Sequence, residues 1–270
     1  MIYKTIDKEH LKKYKYKNDN SLMMRKRVYQ YTYPKIDLTK EVIKKIPFKA
    51  KRVLDVGCGN GDLLISLRKS SFTGELFGMD LSEGIMQKGT KQSIEEGLNI
   101  IFKAADAESL PFKDEFFDVI IAKHMLYHVP NVQKAVNEVY RCLKKGGCYI
   151  VTLNSKNQKP KLAEYEQFIK RKYEFSIKHG DHFLVTENIS GFLTKFKKVE
   201  TIHFENKIEL RDPSPFIDYI ASFQDSYTPM PTKEVWQKIL RDIKDLIQKE
   251  INEKGKFIEY NRFDLIKAIK

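Results

Sequence analysis

Residues 53–61 read Val-Leu-Asp-Val-Gly-Cys-Gly-Asn-Gly, and Leu63, Leu64 and Leu67 follow at helical spacing. Val53, Leu54, Asp55 and Val56 are strand-like, and Gly57, Gly59 and Gly61 then turn the chain. Glycine admits positive φ and a close approach of backbone to ligand. A strand, a glycine turn and a helix together form the nucleotide-binding corner of a doubly wound sheet. Glycine patterns alone are weak signals. Asp55 sharpens this one. It interrupts a strand expected to be buried on both faces, where an unpaired carboxylate is costly. A cationic ligand above the glycine turn would supply its partner.

Further landmarks follow in order. Leu76-Phe77-Gly78-Met79-Asp80 reads as a second strand ending in an acid 25 residues after Asp55. A carboxylate there can accept both hydroxyls of a ribose. Ser82 reads as the N-cap of a helix to about Glu96, with Gly97 as its C′ residue. A third strand, Ile100 to Ala104, leads into Asp106-Ala107-Glu108-Ser109-Leu110-Pro111-Phe112. A fourth, Phe117 to Ala122, leads into Lys123-His124-Met125-Leu126-Tyr127-His128. A helix from Val132 to Leu143 and a Gly146-Gly147 turn precede the fifth strand, Cys148 to Leu153. This alternation implies a parallel sheet with crossover helices.

The glycine stretch resembles motif I of the class I S-adenosylmethionine-dependent methyltransferases. The segments at Asp106, at Phe117–Asn131 and at Arg141–Gly147 resemble those of the type 11 subfamily, which includes ubiquinone and menaquinone methyltransferases. Asn131 replaces a common Asp, and Lys145 replaces a usual Pro. The resemblance implies an α/β fold: a doubly wound, seven-stranded, mostly parallel Rossmann-like sheet with helical lid segments. The last strand is then antiparallel, between the fifth and sixth. The implied cofactor-binding residues are Asp55, Gly57, Gly59, Asp80, Leu81, Asp106, Ala107, Lys123 and Arg25. The acid of the first strand lies near the amino-acid end of the cofactor, and Asp106 accepts from the adenine amino group. NAD fits less well. Its GxGxxG loop holds a pyrophosphate at the helix N-terminus, whereas the spacing here is GxGxG with Asp62 at that place.

The flanks read as covers. Residues 1–50 form an N-terminal helical lid, with helices from Ser21 to about Tyr31 and from Thr39 to Ile46. Residues 51–210 form the core. Helices are expected over 161–178 and about 187–196, and a sixth strand over Lys198–Leu210. Residues 211–255 are a helical insertion over the acceptor site, too long for a hairpin connection. Residues 256–270 carry the last strand, Phe257 to Ile269. Trp236 reads as core, and Tyr227 as either core or substrate contact.

Methyl transfer from a sulfonium proceeds in line, so positioning supplies much of the rate. A base is needed only for a protonated acceptor. The catalytic candidates are His124, His128 and Tyr29. On a helix, His124 and His128 would face the same side. Tyr14, Tyr16, Tyr31 and Tyr33 are further lid tyrosines, and Arg25 or Arg27 could pair with the cofactor carboxylate.

Composition narrows the setting. The 270 residues carry a net charge of +13, but the lysines are spread along the chain among many acids. A solvated surface is therefore preferred to a nucleic-acid partner. No apolar run reaches membrane-spanning length, and the start lacks a secretory h-region. Three cysteines without a CxxC pattern imply neither disulfides nor zinc. A cytoplasmic monomer or homodimer is expected. The place after the fourth strand lacks the Asn/Asp-Pro-Pro-aromatic motif of base amino-methylating enzymes. No cysteine is well placed for cytosine C5 chemistry, and no metal triad is visible. The expected activity is methyl transfer to an O, N or C atom of a small-molecule acceptor. The alternatives are an RNA or nucleotide methyltransferase and an inactive S-adenosylmethionine-binding protein.

Overall fold

The computed structural model describes residues 27–177 and 184–270. Its centre is an eight-stranded sheet. The strands are β1 (Thr32–Tyr33), β2 (Arg52–Val56), β3 (Glu75–Asp80), β4 (Ile100–Ala104), β5 (Phe117–Lys123), β6 (Leu143–Asn154), β8 (Lys198–Leu210) and β10 (Phe257–Ile269). They lie in the order β1-β8-β10-β6-β5-β2-β3-β4. The pairs β2·β3, β2·β5, β3·β4 and β5·β6 are parallel, and β10 runs antiparallel to both β6 and β8. Strand order reverses between β2 and β5. Ligands of open α/β sheets bind at such a switch point, beyond the carboxyl ends of the strands.

The helices are α1 (Leu38–Lys45), α2 (Asp62–Lys69), α3 (Glu83–Glu95), α4 (Val132–Cys142), α5 (Pro160–Tyr173), α6 (Thr186–Ile189), α7 (Ser214–Ala221) and α8 (Lys233–Lys254). α2 and α3 bury Leu63, Leu64, Leu67, Ile85 and Met86 with Val53, Leu76 and Val119 on one sheet face. α4 buries Val132, Val136 and Val139 with Leu54, Ile120 and Tyr149 on the other. A third cluster joins α5, α7 and α8 to the long β8–β10 ribbon through Tyr165, Phe216, Ile243 and Phe257. Burial of such side chains contributes roughly 1.5–3 kcal/mol each. The cluster therefore makes the 211–255 region an integral layer over this half of the sheet.

The seven expected strands form, with the last between the fifth and sixth. Local differences have physical causes. The eighth strand, β1, is two residues long, and Thr32 and Tyr33 pair with Ile208 and Lys207. So short a run carries no alternation to read. The expected helix toward Tyr31 is a 3-10 turn at Val28–Tyr31; its earlier part lies outside the described residues. The helix expected over 161–178 stops at Tyr173, because Glu174 takes φ +62 and the chain then enters β7 (Ser176–Ile177). β7 pairs with β9 (Tyr227–Thr228) in a two-stranded ribbon. The helix expected over 187–196 is α6 followed by a 3-10 turn at Ser190–Phe192. Ser82 does flank α3, but its side chain makes no cap hydrogen bond. Gly97 takes φ +61 as expected for a C′ residue. Among the described residues, no helix is long and apolar enough to cross a membrane.

Candidate active site

The carboxyl ends of β2, β3, β4 and β5 open into a cavity of about 1690 Å³. A drug-sized ligand needs roughly 300–1,000 Å³, so there is room for a cofactor and a second molecule. Gly57, Gly59, Asp80, Leu81, Asp106, Ala107, Lys123, His124, His128 and Tyr29 all line it. Asp55 is not in the lining: it lies buried beneath the glycine turn. Arg25 lies outside the described residues, as do Tyr14 and Tyr16. Arg27 is exposed and does not line the cavity, and neither do the exposed Tyr31 and Tyr33.

The glycine turn is dictated by close approach. Gly57 has φ +68, and a Cβ there would lie 2.7 Å from both Cβ and Cγ of Met125. The loop after β5 therefore presses on the turn. On the other side, a Cβ on Gly89 of α3 would lie 2.3 Å from the Asn60 carbonyl oxygen. By contrast, a Cβ on Gly59 would meet only Ile85 Cδ1, at 3.9 Å.

Asp80 ends β3 as a backbone-held carboxylate. Oδ2 accepts from the Gly59 N–H and Oδ1 from the Ser82 N–H, both at 3.0 Å. Burial raises its pKa, and these hydrogen bonds, with one from Leu81, pull it back down. Asp106 Oδ1 accepts from the Glu108 N–H at 2.9 Å, which fixes the turn after β4.

Asp55 meets the requirement read from the sequence only in part. Its Oδ1 is buried and has no hydrogen-bond partner among the described residues. Burial pushes its pKa up to about 7; the Lys123 ammonium opposes that shift and the Asp80 carboxylate adds to it. Lys123 Nζ donates to Thr39 Oγ1 at 3.3 Å.

His124 and His128 both reach the cavity, but not from one helix face. The chain leaves β5 through His124 at φ +52, and only Leu126–His128 forms a 3-10 turn. The His124 N–H donates to Thr152 Oγ1 at 3.0 Å and to the Thr152 carbonyl at 3.2 Å, which clamps the strained residue to β6. A left-handed backbone at a non-glycine residue costs about 1–2 kcal/mol and recurs at ligand sites. The imidazole is buried; desolvation, then Lys123 and Lys159, push its pKa down to about 3. It is neutral across the physiological range.

The far end of the cavity was read from the sequence only in part: Tyr29, Tyr227 and the 211–255 insertion were expected there, whereas Lys159, Glu166 and Asn261 were not. It is lined by Lys159, Glu166, Tyr219, Tyr227 and Asn261, with Tyr29 on the N-terminal side. Glu259 is fully buried and caps α5, accepting from the Lys161 N–H at 3.2 Å and the Leu162 N–H at 2.7 Å. Glu166 has its pKa pushed up to about 7 by burial and then by Glu259. One signal was available: Glu166 stands four residues after Leu162, on the apolar face of the predicted helix. Tyr227 is buried, with its ring centroid 5.2 Å from that of Trp236. It lines the cavity, whereas Trp236 is core, as expected. All three cysteines are buried and free. Burial pushes the thiols of Cys142 and Cys148 up to about 11, so neither is a ready nucleophile.

Comparison with known proteins agrees with this fold. Residues 47–207 match the family model described as a methyltransferase domain. The uncharacterized methyltransferase YcgJ of Bacillus subtilis is 33% identical over 121 residues, covering 44% of this chain and 47% of that protein. Its crystal structure has a TM-score of 0.59 at 20% identity, covering 86% of this chain and 97% of that one. The ubiquinone/menaquinone biosynthesis C-methyltransferase UbiE of Rickettsia bellii is 33% identical over 143 residues, covering 51% of this chain and 56% of that protein. The chain thus spans about half the length of these curated relatives. Haemonchus contortus phosphoethanolamine N-methyltransferase 2, solved with S-adenosylhomocysteine, has a TM-score of 0.60 at 16% identity, covering 98% of this chain and 60% of that one. At that identity the likeness is one of fold.

The residues present fit S-adenosylmethionine, the cofactor of this family. The open Gly59, the backbone-held Asp80 and the unpartnered Asp55 oxygen are what a cationic nucleoside ligand needs at this corner. From its family match the chain belongs to the methyltransferase domain family, and its fold is Rossmann-like.

Proposed function

We propose that this chain methylates an oxygen, nitrogen or carbon atom of a small-molecule acceptor held in the far end of the cavity. The observation that carries the reading is the single cavity with two chemically distinct ends. One is ringed by the carboxylates and glycines after β2–β4, the other by Lys159, Glu166 and tyrosines. Bound S-adenosylmethionine supplies a methyl group on a sulfonium with a neutral leaving group. In this reading Asp80 and Leu81 hold the ribose, Asp106 and Ala107 the adenine, and Gly57 and Gly59 underlie the amino-acid end. Asp55 and Lys123 set the field beneath it.

The protein's remaining task is to orient the acceptor and exclude water. Tyr29 from the N-terminal segment and Tyr219 and Tyr227 from the 211–255 region serve that purpose, which makes those segments covers. His124, neutral at pH 7, accepts a hydrogen bond from an acceptor hydroxyl or amine and orients it; with its pKa pushed down to about 3 it is a poor proton acceptor. His128, beside Tyr127 at 4.5 Å between ring centroids, braces the same loop. A small acceptor is also in keeping with the quinone and phosphoethanolamine named for the relatives.

The test is incubation with S-adenosylmethionine and pools of small phenols, amines and carboxylic acids, read by mass spectrometry. A methylated product that disappears in Asp80→Ala is expected. Methylation of RNA but of no small-molecule pool would overturn the acceptor class. Tight cofactor binding without transfer to any pool or to RNA would overturn the catalytic reading.

A further inference from the structure

Lys159 stands immediately before Pro160, the first residue of α5, and its side chain is only 4% exposed although it lines the cavity. Nζ donates to Asn261 Oδ1 at 2.6 Å, and Asn261 Nδ2 donates in turn to Asn206 Oδ1 at 3.1 Å. Asn261 and Asn206 face each other in the β10·β8 register. The ammonium is therefore aimed by a pair of amides fixed on two rigid strands. An ammonium carries three donors, and one is used here.

The surroundings compensate its charge only from a distance: the buried Glu259 carboxylate feels the field of Lys159 but makes no ion pair with it. Among the described residues, no carboxylate lies within ion-pair distance of Lys159 Nζ. Glu259 is committed to the α5 N-terminus, and burial and Glu259 favour the neutral form of Glu166. Lys159 instead lies over the rings of Tyr29 and Tyr219, at 5.5 and 5.7 Å from their centroids. Those aromatic faces, which would otherwise attract a cationic amine, are already taken by the protein's own cation. Its field, with that of Lys123, reaches His124. A buried ammonium with one amide acceptor has donors left to satisfy, and a ligand oxyanion would satisfy them with short, charge-assisted hydrogen bonds.

We propose that Lys159 is the acceptor-recognition residue of this cavity and that the acceptor presents an oxyanion to its ammonium. The inference rests on the reading of the cavity as a cofactor and acceptor site. Two sources share this chemistry: a carboxylate used as an anchor, and the ionised hydroxyl of a phenol that is itself the acceptor atom. A protonated amine acceptor is repelled.

The experiment uses the full chain saturated with S-adenosylhomocysteine. Titrations with benzoate, 2-naphthoate, 2-naphthylmethanol and 2-naphthylmethylammonium read charge preference. The absorbance of bound 2-naphthol against pH reads phenolate stabilisation. Wild type should bind a carboxylate at least about tenfold more tightly than the neutral or cationic isostere, or ionise bound 2-naphthol at a lower pH than in solution. The first result assigns the carboxylate source and the second the phenolate. Lys159→Met should abolish the preference while S-adenosylhomocysteine affinity stays within about twofold, and Lys159→Arg should retain part of it.

Equal or tighter binding of the neutral or cationic probe overturns the proposal, and so does the absence of both anion signals in wild type. Loss of S-adenosylhomocysteine binding in both Lys159 variants would overturn it by making Lys159 a folding residue. Failure of wild type to bind S-adenosylhomocysteine is read separately and overturns the cofactor reading beneath it.

Discussion

The two ends of the cavity are built on opposite plans. At the cofactor end, the carboxylates sit at strand ends and are shaped by backbone N–H groups within a short stretch of chain, as when Gly59 and Ser82 hold Asp80. At the acceptor end, Lys159, Glu166, Tyr219 and Asn261 come from distant parts of the sequence, and side chains position one another, as Asn206 and Asn261 do Lys159. A site held by backbone is fixed by the fold, so one fold can offer the same cofactor end repeatedly. A site held by side chains can be rewritten by substitution, which is how a shared fold comes to serve many acceptors.

The contrast can be broken most severely at Asp80. Asp80→Ala should lower S-adenosylhomocysteine affinity about a thousandfold, on the order of 4 kcal/mol for two lost charge-assisted hydrogen bonds. Calorimetry checks this. A large loss of stability without a loss of affinity would turn Asp80 into a brace for the glycine turn.

His124, at the boundary between the ends, gives a pH signature. Its folded pKa, about 3, lies below the ordinary 6.5, so the unfolded chain binds more protons between those values. Its contribution is full above pH 6.5 and is lost as pH falls toward 3, on the order of 5 kcal/mol in all. Asp55 works in the opposite sense: its folded pKa, about 7, exceeds the ordinary 3.8, so its effect is to reduce stability as pH rises through that window. Denaturant unfolding of His124→Asn should therefore show a shallower loss of stability on acidification than wild type. Parallel pH profiles for the two proteins would contradict a buried neutral imidazole.

Gly89→Ala sharpens the cofactor end. The added Cβ meets backbone at Asn60 and cannot be relieved by a rotamer. A stability loss of about 2 kcal/mol is expected, together with weakened cofactor binding, because α3 must withdraw from the turn. Gly97→Ala, with open space around it, should lose only the cost of its positive φ, about 1 kcal/mol, and should leave binding intact. Thermal melts and titration on the pair separate a clash from simple strain.

The smallest effect is a control outside both ends. Asn131 Oδ1 caps α4 by accepting from the Lys134 N–H at 3.0 Å. Asn131→Ala should cost about 1 kcal/mol of stability and leave cofactor affinity unchanged. A change in affinity would mean that the cap is coupled to the site.

The same contrast explains what could be read from the sequence. The cofactor end was legible because Asp55 interrupts, Asp80 ends, and the glycines and Asp106 follow strands whose apolar runs are visible locally, and parallel strands bring their carboxyl ends together. The geometry of His124 and His128 was not legible. Four-residue spacing means a shared face only on an α-helix, and the left-handed backbone of His124 breaks that premise. β1 and the β7·β9 ribbon were missed because two-residue strands carry no periodicity and exist only through distant pairing. Lys159 was invisible for a related reason. Nothing local distinguishes it from a solvated lysine; its burial comes from β8 and β10, whose Asn206 and Asn261 lie far along the chain.

Titrating S-adenosylhomocysteine into wild type, Asp80→Ala and Lys159→Met shows whether the two ends of the cavity are separable. The prediction is binding at about the micromolar level in wild type, its loss in Asp80→Ala, and no change in Lys159→Met. Unchanged affinity in Asp80→Ala, or its loss in Lys159→Met, would contradict the division of this cavity into a cofactor end and an acceptor end.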